Sequence, residues 1–180
     1  KIFRKELGLD KPYHVRYVNW LTSAIQGDLG STFSGRNATY ANQPQQNTAR
    51  SVSSLLKPRL FNTFFLAAMT AIIAIPLSLL LGITAALYRN SIYDRTVNAS
   101  ALTTISMPEF FVAYILIIYL ASINQFFPSL SNVTSSTPFF ERIYLSVLPA
   151  LTLTLVTVAH MMRMTRASII NLLSSPYIEM

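Results

Sequence analysis

The residue types that do chemistry are sparse in these 180 residues, and their spacing builds no familiar reaction centre. There is no cysteine, which excludes disulfides, thiolate zinc sites and thiol catalysis. The two histidines, His14 and His160, stand far apart and form no ligand pair. No carboxylate pair, nucleophile–base set or metal cluster is present, and Gly27-Asp28-Leu29-Gly30 is too short for a nucleotide loop. Glu109 is the most costly residue. It follows Arg95 by 14 residues, roughly 20 Å along a helix. A carboxylate at that depth in a membrane costs a few kcal/mol unless it is paired, protonated or facing water. Two readings stay open. Either Glu109 faces an internal pathway, or it is a structural partner where Pro108 breaks the helix ladder.

The same segment holds Ser106-Met107-Pro108, which marks a local kink, and Pro76 and Pro149 are candidates for others. Kinked spans with small residues suit a gated bundle, although proline is also simply tolerated in membrane helices. Thr152, Thr154 and Thr157 either line a polar path or, as we favour, bond carbonyls of their own helix. His160 reads as an interfacial residue rather than a proton relay.

The elements that must position these residues are strongly apolar. The chain is 52% hydrophobic and only 12% charged, with a mean hydropathy of +0.41, against about a quarter charged in an average soluble domain. Leu60–Tyr88 is 29 residues without a charge, roughly 43 Å as a helix, and about 20 residues suffice to cross the hydrocarbon core. Core helices of soluble bundles carry charges on their solvent face, and these runs do not. The reading is an all-α polytopic membrane protein with spans at about 60–87, 97–120 and 143–163. A cleaved signal peptide fits poorly, because the first apolar run begins near residue 60.

The formal charge of +7 is spread rather than clustered. Residues 1–59 hold nine Lys/Arg against three acids, residues 60–162 three against three, and residues 163–180 two against one. No basic run alternates with aromatics as in a nucleic-acid groove, so nucleic acid is not an expected partner. Within about 20 residues of the spans, Arg89, Arg95, Arg163 and Arg166 on one side face Arg50, Lys57, Arg59 and Arg142 on the other. Charge bias therefore leaves the orientation undecided.

The connecting segments differ in character. Tyr13, Tyr17, Trp20, Leu21 and Ala24 recur at helical spacing, with Pro12 suited to the first turn. Residues 31–50 are polar, low in complexity and read as a mobile loop. Asn124–Thr137 is rich in Ser, Thr and Pro and joins two spans outside the bilayer. Arg163–Met180 is amphipathic, with Arg163 and Arg166 three apart on one helix face. Ser175 is placed to cap a new helix with Pro176 at its first position and Glu179 in its first turns. That makes a docking element for a soluble partner. The chain starts without methionine and stops within what reads as a helix, so a piece of a longer protein is expected.

Several blocks together resemble the permease subunits of bacterial ABC importers of the dipeptide, oligopeptide and nickel group. Leu7-Gly8-Leu9-Asp10-Lys11-Pro12, Tyr17, Trp20-Leu21 and Gly27-Asp28-Leu29-Gly30-Ser31 follow the order of that family's N-terminal block. Arg59-Leu60-Phe61-Asn62-Thr63 resembles its RLPxT segment, with Phe61 where Pro is usual. Ser106-Met107-Pro108-Glu109-Phe110, Leu148-Pro149-Ala150-Leu151-Thr152-Leu153 and Arg163-Met164-Thr165-Arg166-Ala167-Ser168 resemble its S-x-P-x-F, LPALTL and R-x-TRAS segments. The resemblance covers nearly the whole chain except about 34–50, and the polar insert at 36–49 departs from it.

The resemblance implies a type I permease bundle, with an external segment at 1–58 and a transmembrane domain at 59–180. It implies one helix before Lys1 and two more after Met180, and it places the 89–95 loop and the C-terminal tail in the cytoplasm. The translocation pathway would involve Ser106, Met107, Pro108, Glu109, Pro149 and Thr152. The coupling loop at 168–180, with Arg163, Arg166, Ser168, Tyr177, Ile178, Glu179 and Met180, would contact the ATPases. The implied partners are a second homologous permease, two cytoplasmic ABC ATPases, an external solute-binding protein and the lipid bilayer. The chain itself would hold no cofactor, since ATP is bound by the ATPases, and would not be an enzyme. Two readings from other classes compete: a membrane-embedded enzyme using Glu109 and His160, and a non-catalytic membrane anchor.

Overall fold

A computed structural model describes residues 11–32 and 50–175, and no strand occurs among them. We name the helices α1 (Tyr13–Ile25), α2 (Val52–Leu87), α3 (Ile92–Ser106), α4 (Glu109–Leu116, continuing as a π-helix over Ile117–Ile123) and α5 (Phe139–Leu173). The chain divides into two compact units, Lys1–Phe61 and Asn62–Met180.

In the first unit, α1 starts directly after Pro12, one position later than the sequence predicts. The Gly27-Asp28-Leu29-Gly30 block is a turn. Gly27 and Gly30 take φ of +84° and +80°, which favours glycine. The Asp28 carboxylate accepts the Gly30 N–H at 2.9 Å. Ser53 Oγ donates to the Gly27 carbonyl, and an isolated antiparallel bridge joins Ser31 to Ser51. The expected mobile loop and the insert at 36–49 lie almost wholly outside the described residues, as do Leu7–Asp10.

In the second unit, α2 and α5 run parallel. Asn62 meets Arg142 at one end, and Gly82 meets Met162 and Thr165 at the other, about 20 residues further along both helices. Every fourth residue of α2 from Thr70 is small and buried: Thr70, Ala74, Ser78, Gly82 and Ala86. On α5 the buried series is Arg142, Ser146, Ala150, Thr154, Val158 and Met162. Small side chains let the backbones approach closely, as expected where lipid removes the hydrophobic drive between helices. The approach is tight at Gly82, where an added Cβ would lie 2.7 Å from Thr165 Cβ and 2.9 Å from the Met162 carbonyl oxygen. α3 joins this pair through Ala101, which packs with Ala159 and Met162 and is flanked by Leu81, Val97 and Ile105.

α2 and α5 are long and apolar enough to cross a membrane, and each extends beyond its expected span. The expected span at 97–120 is different. It is two helices, Ile92–Ser106 and Glu109–Ile123, bent by 105° at Met107-Pro108. The predicted local kink is therefore a full change of direction. Pro108 has no N–H to continue the ladder, and a residue before proline is pushed out of the α region. Met107 accordingly takes φ −92° and ψ 137°. Pro76 and Pro149 do not interrupt their helices.

Candidate functional site: a charged clamp at one end of the bundle

Between α2 and α3 the chain turns through Tyr88–Ser91. Asn90 takes φ +67°, which a short polar side chain tolerates. Ser91 then caps α3, its Oγ accepting the Asp94 N–H at 3.1 Å. The Asp94 carboxylate reaches back and accepts the Asn90 N–H at 3.0 Å. This is a close relative of the capping box, with Asp in the place of Glu or Gln. Asp94 is only 4% exposed, and its burial would be expensive without partners.

Arg166 supplies the partner. Its Nε lies 2.6 Å from Asp94 Oδ1 and its Nη2 2.7 Å from Oδ2, a two-bond fork. Asn98 Nδ2 adds a bond to Oδ1 at 2.6 Å. One carboxylate therefore ties the α2–α3 turn, the first turns of α3 and the last third of α5 into a single polar cluster. Among the described residues no group of three or more His, Asp or Glu side chains is placed to hold a metal ion.

A second cluster sits at the opposite end. Arg142 is buried on α5, and its Nη1 donates to Asn62 Oδ1 and its Nη2 to the Thr134 carbonyl, both at 2.9 Å. Asn62 Nδ2 donates to the Val133 carbonyl at 3.1 Å, and the Arg142 guanidinium lies 5.9 Å from the Phe65 ring centroid. The segment before α5 is thereby fastened to both long helices.

Residues 78–180 match the family of binding-protein-dependent transport system inner membrane components. The chain belongs to that family. It is 29% identical over 179 residues to the oligopeptide transport system permease protein AppB of Bacillus subtilis, covering 98% of this chain and 53% of that protein. It is 34% identical to a putative peptide permease protein of Brucella suis, over 98% of this chain and 52% of that one. It is 29% identical to the glutathione transport system permease protein GsiC of Salmonella choleraesuis, over 99% and 51%. The chain thus spans about half the length of the curated relatives it matches. The helical architecture and the apolar spans fit a multi-pass inner-membrane component.

The residues of this transport component expected to line a pathway fall into two places. Ser106, Met107, Pro108 and Glu109 form the break between α3 and α4 and are exposed. Ser106 Oγ donates to the Leu102 carbonyl at 2.8 Å. Glu109 opens α4, where a negative charge suits the helix dipole. Pro149 and Thr152 lie within α5, and the Thr152 hydroxyl donates to its own helix at Leu148, as favoured above, whereas the buried Thr154 hydroxyl makes no such bond. Of the residues expected to couple, Arg163 and Ser168 are exposed on α5, while Arg166 is engaged by Asp94. Tyr177, Ile178, Glu179 and Met180, with Pro176, lie outside the described residues. The sequence alone assigns no site role to Asp94, Asn98, Asn62 or Arg142. Ser91-Ile92-Tyr93-Asp94 carried the capping signal that would have found Asp94. The Arg142 side-chain partner Asn62 lies 80 residues earlier, and no local pattern announces it.

Proposed function

We propose that this chain is the central part of a permease subunit of an ATP-driven importer for peptides or a related small solute. The observation that carries this is the similarity of nearly the whole chain to permeases named for oligopeptides, peptides and glutathione. On this reading the subunit forms half of the pathway with a second permease. An external binding protein delivers the solute, and two cytoplasmic ATPases do the hydrolysis.

The clamp end of the bundle is cytoplasmic in this proposal. The parallel course of α2 and α5 supports placing the Tyr88–Ser91 turn and the segment after α5 on one face. The coupling residues Arg163, Arg166 and Ser168, with Tyr177, Ile178, Glu179 and Met180 beyond them, pass ATPase movement into α5. Arg166 transfers it through Asp94 to α3. α3 ends at the Met107-Pro108 break, so a small displacement at the clamp re-aims α4 and the Ser106–Glu109 segment. Alternating access then follows from rigid bodies moving about a fixed bend. Pro149 and Thr152 contribute the α5 wall of the pathway.

The test is uptake of a radiolabelled tripeptide and of labelled glutathione. The full-length gene and its partners are expressed in a host lacking its own peptide permeases. Uptake that requires both this subunit and competent ATPases is the expected result. An assembled complex that takes up neither solute would overturn the proposal. The competing enzyme reading has less support, because His160 lines a groove between α3 and α5 that Glu109 does not line.

A further inference from the structure

Beside the Asp94–Arg166 pair lies a groove of about 430 Å³ between α3 and α5. Asn98 and Ile105, seven residues apart, line it from α3. His160, Arg163, Met164 and Ala167 line it from one face of α5, where residues three, four and seven apart are neighbours, and Arg166 of the clamp borders it. It extends roughly 10 Å along the helices, at about 1.5 Å per residue. Its charge is unbalanced. The Asp94 carboxylate is occupied by Arg166, Asn98 and the Asn90 N–H. The Asn98 amide nitrogen is committed to Asp94, to both its side chain and its carbonyl. Arg163 is exposed and, among the described residues, has no carboxylate within ion-pair distance. His160 is exposed one turn away. Apart from Arg166, which is held by Asp94, the remaining lining is apolar: Ile105, Ala167 and Met164, the last 73% exposed.

We infer that this groove holds the phosphate of an anionic phospholipid, with Arg163 as its principal cation and the acyl chain lying over Ile105 and Met164. The combination selects this ligand. The Arg163 fork matches two phosphate oxygens, and the His160 imidazole is placed as a second donor. A free anion would leave the apolar wall unused, and a zwitterionic lipid would bring its own cation beside Arg163 and His160, where no lining residue carries a carboxylate to receive it. Arg163 and Arg166 directly follow the uncharged run 143–162 of α5, so a membrane-spanning α5 brings the groove to the level of the headgroups. Basic pockets between membrane helices are recurrent sites for acidic headgroups. A lipid held there bridges α3 and α5 next to the clamp. The inference rests on the membrane placement alone and does not depend on the solute or on ATPase coupling.

The experiment uses the full-length complex, stripped of bulk lipid in detergent and read by native mass spectrometry. Phosphatidylglycerol, phosphatidylcholine and inorganic phosphate are added back separately. The expected result is retention of phosphatidylglycerol over phosphatidylcholine, at least five-fold weaker in Arg163→Gln and intermediate in Arg163→Lys. Arg95→Gln removes the same charge from the start of α3, outside the groove, and it leaves retention unchanged. Equal loss in Arg95→Gln would overturn the proposal, as would equal retention of the two lipids. Displacement of phosphatidylglycerol by millimolar phosphate would assign the site to a free anion. Unchanged lipid in Arg163→Gln with loss of the ATPases would assign it to a protein partner. Arg163 is exposed, so the variants should fold, and a single symmetric size-exclusion peak checks this.

Discussion

Arg166 grips Asp94 from 72 residues away in the sequence, with both carboxylate oxygens held by one guanidinium. The Asp94 side chain is nearly buried at 5% exposure, while that of Arg166 keeps 23%. Such a pair adds little compared with a well-packed apolar substitute, but removing one partner strands the other. Its value here is positional, because it fixes where the turn after α2 and the first part of α3 stand against α5.

Asp94→Asn is expected to destabilise the folded subunit by about 2–3 kcal/mol, below the 3–5 kcal/mol of a fully buried pair because Arg166 is partly solvated. The charge-swapped double variant Asp94→Arg/Arg166→Asp should not recover this loss. The Asn90 N–H and the Asn98 amide both donate toward position 94 and require an acceptor there. Thermal unfolding of the full-length protein in detergent reads both effects.

Gly82→Ala should loosen the α2–α5 contact, at a cost of about 1–3 kcal/mol for overpacking. Combining it with Thr165→Ala should not rescue it. The contacts at 2.7 and 2.9 Å are with Thr165 Cβ and the Met162 carbonyl, and both remain after that change. Thermal unfolding of the single and double variants decides this.

Arg142→Lys should behave almost like Arg142→Ala. A lysine has no fork with which to hold Asn62 and the Thr134 carbonyl together. Both variants should raise hydrogen exchange in residues 124–138 while leaving Asp94 and its neighbours protected, as exchange read by mass spectrometry would show.

Pro108→Ala restores an N–H and removes the restriction on Met107, so the 105° bend should relax toward a straighter helix. Spin labels at Thr96 and Tyr119, both exposed, should move further apart by pulsed electron paramagnetic resonance. An unchanged distance would mean that packing against α5, not proline, sets the bend.

Much of this fold was legible because lipid imposes simple rules. The uncharged runs announce α2 and α5, and Pro108 announces the break. The size of the bend was not legible, since proline specifies where a ladder fails and the neighbours decide how far the chain turns. The clamp was half legible. Arg166 was singled out for a partner outside the chain, whereas the structure gives it one inside, at Asp94. A pair 72 residues apart leaves no periodic trace. Arg142 was read only as a charge to be counted for orientation, and its bonds to Asn62 and Thr134 depend on tertiary packing.

The most direct test of the central claim uses the absence of cysteine from these 180 residues. Tyr177→Cys is placed in the full-length subunit and expressed with its ATPases in intact cells. The account predicts that a membrane-impermeant maleimide leaves this position unlabelled from outside. It also predicts that a short bifunctional maleimide cross-links it to an ATPase carrying a single cysteine in its docking groove. Labelling from outside, with no cross-link to the ATPase, would contradict both the orientation and the coupling role.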